Sequence, residues 1–181
     1  MTIRSFQDKF PEIGNSVFID DSAEVIGDVT LDDNVSVWPG TIIRGDVCSI
    51  AIGLGTNVQD CSVLHGTHDG PYSPGGFPLL IGQGVTIGHR AVVHACTVGN
   101  FCLIGIGAVL MDGVVVEDEV IIGAGALVPP GKHLEQRNLY VGSPVKKIRP
   151  LTDKELSFLK YSAEHYQKLK DKYLQDSQKT D

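Results

Sequence analysis

The chain has 181 residues, a formal net charge of −7 and 42% hydrophobic residues. That length fits one domain with a short appendage, and that apolar content supports a core. The acidic balance argues against nucleic acid and anionic membrane as general partners.

The N-terminal stretch "MTIRSFQDKFPEIG" has no apolar signal-peptide core, and no run approaches membrane-spanning length. A cytoplasmic protein without a membrane segment is expected, with residues 1–12 as an N-terminal cap. From residue 13 a strict pattern begins. Aliphatic residues recur every six positions at Ile13, Ile19, Val25, Leu31, Val37 and Ile43. The period resumes at Ile52, Val58 and Leu64, then at Ile81, Ile87 and Val93. It continues through Val98, Ile104, Leu110, Val116, Ile122 and Val128. The fifth position of each hexad is small or β-branched, as at Ala23, Val35, Thr41, Thr56, Ala91 and Cys102.

Six is the period of neither an amphipathic helix nor a meander of long strands. It fits short strands joined by tight corners, with the repeated residues pointing into a narrow core. Three hexads close one triangular coil, and successive coils stack as parallel strands about 4.8 Å apart. The aliphatic residues form six groups of three, so an all-β parallel β-helix of about six coils is expected over residues 13–149. The segment "GTHDGPYSPGGFPL" (66–79) interrupts the period, and its Pro and Gly mark a loop thrown out from one coil. Residues 150–181 read as a C-terminal helix and tail. Thr152 and Glu155 form a capping box, and Leu156, Leu159, Ala163, Tyr166, Leu169 and Tyr173 form one apolar stripe. The closing "QDSQKTD" reads as disordered, and His165 and His133 as residues without a specific role. Cys48, Cys61, Cys96 and Cys102 form no CxxC pair and read as small buried residues in a reduced compartment.

The repeat also assigns polar residues to faces. With Ile52 and Ile81 opening face 1, Val58 and Ile87 face 2, and Leu64 and Val93 face 3, His65 and His94 each follow a face-3 core residue in successive coils. They stack about 4.8 Å apart and project outward together, which lets two imidazoles meet one ion at the ~2.0–2.1 Å Zn–N distance. Arg44 lies one coil below in the same column. His89 is the third residue of a face-2 hexad, at the next corner, with Asp60 directly below it. It points away from the His65/His94 pair. A shared ion therefore requires the corner of one subunit to pack on face 3 of the next, a head-to-tail contact that threefold symmetry closes. Gln59 lies beside the site, placed to hold a metal-bound water. One histidine on such a surface is ordinarily a solvated residue; three so placed favour a metal.

The strings "IIRGDV", "TNVQDCSVLH", "IGHRAVVHACTVG" and "IGAGALVPPGK" resemble the γ-class carbonic anhydrases. With "LYVGSPVKKIRPLT" and the terminal helix, the likeness extends over nearly the whole chain and is nearest to the bacterial YrdA-like branch. The resemblance implies a left-handed β-helix and a homotrimer with a metal at each subunit interface. It matches His65, His89 and His94 to the metal ligands, Arg44 and Asp46 to an RGD segment that fixes the trimer, and Gln59 and Asp60 to a Gln–Asp pair. It also implies reversible hydration of CO2 to bicarbonate, by a zinc-bound water whose pKa falls to about 7. Strongly active members carry a glutamate in an acidic loop near the metal. Here the loop offers His68, Asp69 and Tyr72 instead, with His68 the candidate proton shuttle and Tyr72 beside it. This departure bears on turnover more than on the metal. A three-histidine site accepts Fe2+ or Co2+ as well as Zn2+.

Two other classes share these features. Hexapeptide acyltransferases use the same coil with one interface histidine as base, and "GSPVKKIR" resembles the end of their repeats. Three ligand-placed histidines argue against that class. A non-catalytic metal-binding trimer would bind zinc without hydrating CO2.

Overall fold

The computed structural model of the protein describes residues 2–177. Three parallel β-faces wind around one narrow apolar core, and a single C-terminal helix lies against the outside. Most strands are two or three residues long, as Asn57–Val58, Thr86–Ile87 and Leu103–Ile104 are. The brevity follows from the hexad: one inward aliphatic residue per side leaves room only for a corner before the next.

The register is the one that the period specifies. Face 3 stacks Val25, Ile43, Leu64, Val93, Leu110 and Val128, face 2 stacks Val37, Val58, Ile87, Ile104 and Ile122, and face 1 stacks Leu31, Ile52, Ile81, Val98 and Val116. These side chains are at most 5% exposed. The structure extends the stack beyond six coils. Below, Ile3 pairs with Val25 on face 3, so residues 2–4 form a first strand of the solenoid. Above, Leu134 continues face 1 and Tyr140 face 2, with Lys146–Pro150 returning antiparallel along Asn138–Val141. Tyr140, 3% exposed, fills the core position that an aliphatic residue holds elsewhere. The aliphatic rule misses it for that reason.

Two strands are long, Glu24–Leu31 and Ile42–Ile52, because each runs around a corner from face 3 to face 1. Two glycines make this possible. Gly27 pairs with Gly45, and a Cβ on Gly45 would lie 2.4 Å from the Asp28 carbonyl oxygen. Only a residue without a side chain fits so close an approach.

The helix, α1 (Asp153–Ser177), begins with the expected capping box. The Glu155 amide donates to Thr152 Oγ1 at 3.3 Å, and Glu155 Oε2 accepts from the Thr152 amide at 2.8 Å. α1 then runs back along face 2 toward the first coil. Trp38 anchors it, with ring centroids 5.6 Å from Tyr166 and 5.2 Å from Tyr173. The buried line, Leu159, Ser162, Ala163 and Lys170, departs from the expected stripe: Leu156, Tyr166 and Leu169 are half-buried and Tyr173 is 48% exposed. Lys170, four residues beyond Tyr166, turns inward in place of Leu169, its side chain 1% exposed. Its aliphatic stem is buried, and Nζ donates to Asp171 Oδ1 at 2.5 Å. The helix also continues through Gln175–Ser177, where disorder was expected; the other tail residues, 178–181, lie outside the described residues. No helix among the described residues is long and apolar enough to cross a membrane. The four cysteines are free, but only Cys96 and Cys102 are buried as expected; Cys48 is half-buried, and Cys61 is exposed at a corner with φ 58°.

The core ladder should carry the stability. Ile104→Ala, at a fully buried position, is expected to cost about 2–5 kcal/mol in guanidinium unfolding. Ile106→Ala, two residues on and 56% exposed, should stay within about 0.5 kcal/mol.

Candidate metal centre

Leu64 and Val93 point into the core, so the next residue on each strand faces out. Arg44, His65 and His94 are therefore partners in one outward column. Within it His65 Nδ1 lies 3.2 Å from His94 Nε2, with the ring centroids 5.3 Å apart. Two nitrogens bound to one tetrahedral Zn2+ at ~2.0–2.1 Å would sit about 3.3 Å apart. The pair has the spacing of one edge of such a site.

Each ring is held from behind by a carboxylate. His65 Nε2 is 3.0 Å from Asp46 Oδ1, and the other Asp46 oxygen accepts from Arg44. His94 Nδ1 is 2.7 Å from Asp112 Oδ1, while Asp112 Oδ2 accepts from the Thr67 hydroxyl. A carboxylate behind an imidazole keeps that nitrogen protonated and leaves the lone pair on the other. The free lone pairs are then those of His65 Nδ1 and His94 Nε2, which face each other. Partial burial pushes the Asp46 and Asp112 carboxyls up, but hydrogen bonds to His65 and Arg44, and to Thr67 and His94, outweigh it and hold both below the usual range. Both carboxylates are ionised at neutral pH.

His89 stands apart. It occupies the corner after Ile87, where Arg90 at φ 58° turns the chain onto face 3. Its Nδ1 is 2.8 Å from Asp60 Oδ2, one coil below, and its side chain is 43% exposed. No hydrogen bond or ring contact among the described residues joins it to His65 or His94. Likewise, no group of three or more His, Cys, Asp or Glu that could hold a metal assembles within the described chain. One chain thus offers two nitrogens on face 3 and one at a separate corner.

Gln59 is buried, 4% exposed, and its amide orientation follows from its neighbours. The Val85 carbonyl can only accept, so Asn57 turns Nδ2 toward it (3.3 Å) and toward Thr86 Oγ1 (3.1 Å). Asn57 Oδ1 is left to accept from Gln59 Nε2 at 3.1 Å. Gln59 Oε1 then remains an acceptor. Within 66–79 the chain forms a short hairpin, closed by Thr67 pairing with Phe77 and by Gly70 pairing with Ser73, and Leu79, fully buried, already opens the next strand, Leu79–Ile81. His68 is exposed on the hairpin, and Tyr72 at its tip is 99% exposed. Neither side chain touches the histidine pair through a hydrogen bond among the described residues.

Asp112 and Asn57 were not singled out from the sequence. A signal for the first exists. The period breaks at the corner from face 3 to face 1 in three successive coils: Ile43 to Ile52 is long, Leu64 to Ile81 carries the loop, and Val93 to Val98 is one residue short. All three breaks flank the histidine column, and Asp112 sits at the same corner one coil above. His94→Ala is expected to keep the solenoid's far-UV circular dichroism and cooperative unfolding, since the core ladder does not include it. An unfolded variant at room temperature would contradict the outward register.

Comparison with known proteins follows the same lines. The family model of the bacterial transferase hexapeptide (six repeats) matches residues 10–45 and 95–130. Protein YrdA of Escherichia coli K12 is 54% identical over 178 residues, covering 98% of this chain and 97% of that protein. Gamma carbonic anhydrase 2, mitochondrial, of Arabidopsis thaliana is 41% identical over 165 residues, 91% of this chain but 59% of that protein. Among solved structures, a putative acetyltransferase of Bacillus cereus superposes with a TM-score of 0.89 at 34% identity, covering 95% of this chain and 96% of that one. A hexapeptide transferase family protein of Anaplasma phagocytophilum does so with a TM-score of 0.87 at 38% identity, covering 95% and 98%.

Proposed function

The chain belongs to the hexapeptide-repeat family that takes in YrdA and the γ-carbonic anhydrases, and from that premise we propose that it is a metal-dependent carbonic anhydrase acting at the interfaces of a homotrimer. The observation that carries the reading is the pair of facing imidazole nitrogens, 3.2 Å apart, each ring backed by a carboxylate. His65 and His94 of one subunit and His89 of the next hold Zn2+, with Fe2+ or Co2+ as alternatives. The ion supplies Lewis acidity, which makes water a nucleophile toward CO2 at neutral pH.

The remaining work falls to the chain. Asp46 and Asp112 keep the imidazoles in the tautomer that presents a lone pair to the ion. Asp60 does the same for His89. Gln59, its amide set by Asn57, offers Oε1 as an acceptor that orients the attacking water. Arg44 holds Asp46 and stands at the contact between subunits. His68 accepts the proton that must leave for solvent, with Tyr72 exposed beside it on the loop. An outward apolar ladder supports the trimer. Ile42, Val63, Val92, Val109 and Leu127 are paired in register beside the histidine column, and Ile42 and Val63 are each 38% exposed. Such a stripe is a surface for a second copy to cover.

The likeness to the putative acetyltransferase favours a second reading, acyl transfer with one interface histidine as base. Acetyl-CoA-dependent product formation by metal-free protein would select it. Stoichiometric zinc without CO2 hydration above buffer would select a binding protein instead.

Two experiments test the proposal. In the first, His65→Ala and His89→Ala variants are refolded together. Every mixed trimer contains one contact that joins an intact His65/His94 face to an intact His89 corner. Zinc and CO2 hydration should return only after mixing, and verified mixed trimers as empty as their parents would sink the shared site. In the second, His68→Ala should lower turnover in weak buffer and recover on addition of imidazole. An unchanged rate removes His68 from the mechanism.

A further inference from the structure

The loop 66–79 does not leave the solenoid independently of the metal centre. It starts directly behind one ligand. Gly66 follows His65, and a Cβ there would lie 2.9 Å from the Cys48 Cβ and 3.1 Å from the Phe77 carbonyl oxygen, so the start of the loop is packed tight. Thr67 then closes the loop root, exchanging backbone hydrogen bonds with Phe77 at 2.9 Å in both directions. The Thr67 hydroxyl donates to Asp112 Oδ2 at 2.5 Å, and Asp112 Oδ1 accepts from His94 Nδ1 at 2.7 Å. The carboxylate of Asp112, 45 residues on from Thr67, thus ties the loop root to the second ligand.

We infer that Asp112 is a positioning residue that joins the loop root and His94 into one unit, so that metal binding and the ordering of loop 66–79 are linked. This rests on the reading that His65 and His94 hold a metal. A metal at His94 Nε2 requires the hydrogen on Nδ1, and that hydrogen needs an acceptor held in place. Asp112 is the acceptor, and Thr67 holds its second oxygen. Whatever steadies the carboxylate from the loop side steadies the ligand, and by reciprocity an ion on the ligand steadies the loop. The loop carries His68, so the same joint sets the position of the proposed proton carrier relative to the ion.

The test uses the whole protein, with zinc as the probe. Two readings are taken: zinc affinity by competition with a chromophoric chelator, and amide hydrogen exchange over residues 67–77 with and without zinc. In the unaltered protein, zinc should slow exchange in the loop. Asp112→Ala should weaken zinc about 10–100-fold and abolish that protection. Thr67→Val, which touches no ligand, should weaken zinc about fivefold, the loss of one hydrogen bond, and also uncouple the loop. Thr67→Ser, which restores the hydroxyl, should recover both readings. Exchange in the core strands around Ile104 and Ile122 serves as the control for general destabilisation and should not change. Zinc affinity unchanged in Thr67→Val, or loop exchange indifferent to zinc in the unaltered protein, overturns the linkage. If the unaltered protein binds no zinc, the metal reading fails by itself. The joint is then judged in metal-free protein, where Asp112→Ala and His94→Ala must both speed exchange at residues 67–77 for it to stand, and unchanged exchange refutes it.

Discussion

The in-register stacking of parallel hexads is the constraint on which everything else rests. Leu64 and Val93 are fully buried and paired across successive coils. Because side chains alternate along a strand, the residues that follow them must then stand side by side on the surface. The separation of the two imidazoles is the inter-strand spacing of a β-sheet, adjusted only by ring rotation. A slip of one residue on either strand would bury a histidine and expose a leucine or valine. The core ladder thereby holds the geometry of the site without contributing an atom to it.

What the ladder places, charges then orient. Unassisted, two facing imidazoles offer each other four combinations of donor and acceptor. Asp46 and Asp112 stand at the far side of each ring and remove that freedom. Both carboxylates are partly buried, which costs solvation, and both recover it through at least two hydrogen bonds. Arg44 and Thr67 serve as the second partners. Gln59 is oriented by the same logic in neutral form. A carbonyl that can only accept sets Asn57, and Asn57 sets Gln59. In each case a group of one fixed polarity decides the orientation of a group that could point either way.

The helix lies on another face. α1 covers the outward side of face 2 through Trp38, Tyr166 and Tyr173, with Thr86 Oγ1 3.0 Å from Ser162 Oγ. It leaves face 3 open, where the histidine column stands beside its apolar ladder. The solenoid thus has one side sealed by its own chain and one side furnished with paired nitrogens and exposed aliphatic residues. That division of surfaces leaves the paired nitrogens on the side that the helix does not cover.

The period alone determined the three-faced coil, the stacking of Arg44, His65 and His94, and the placement of His89 over Asp60. It could do so because a six-residue repeat converts position in sequence directly into position on a face. It did not reach Tyr140 or Lys170, where an aromatic ring and an aliphatic stem satisfy packing in place of the expected residues, nor the length of the helix, which runs on through exposed Gln175 and Asp176. Nor did it reach Asp112, Asn57 or Thr67. Those residues matter through hydrogen bonds between different coils, and a hydrogen bond depends on side-chain direction and distance. The repeat states which face a residue occupies, but only the packed tertiary structure decides which of its atoms meets a partner and which remains free to bind.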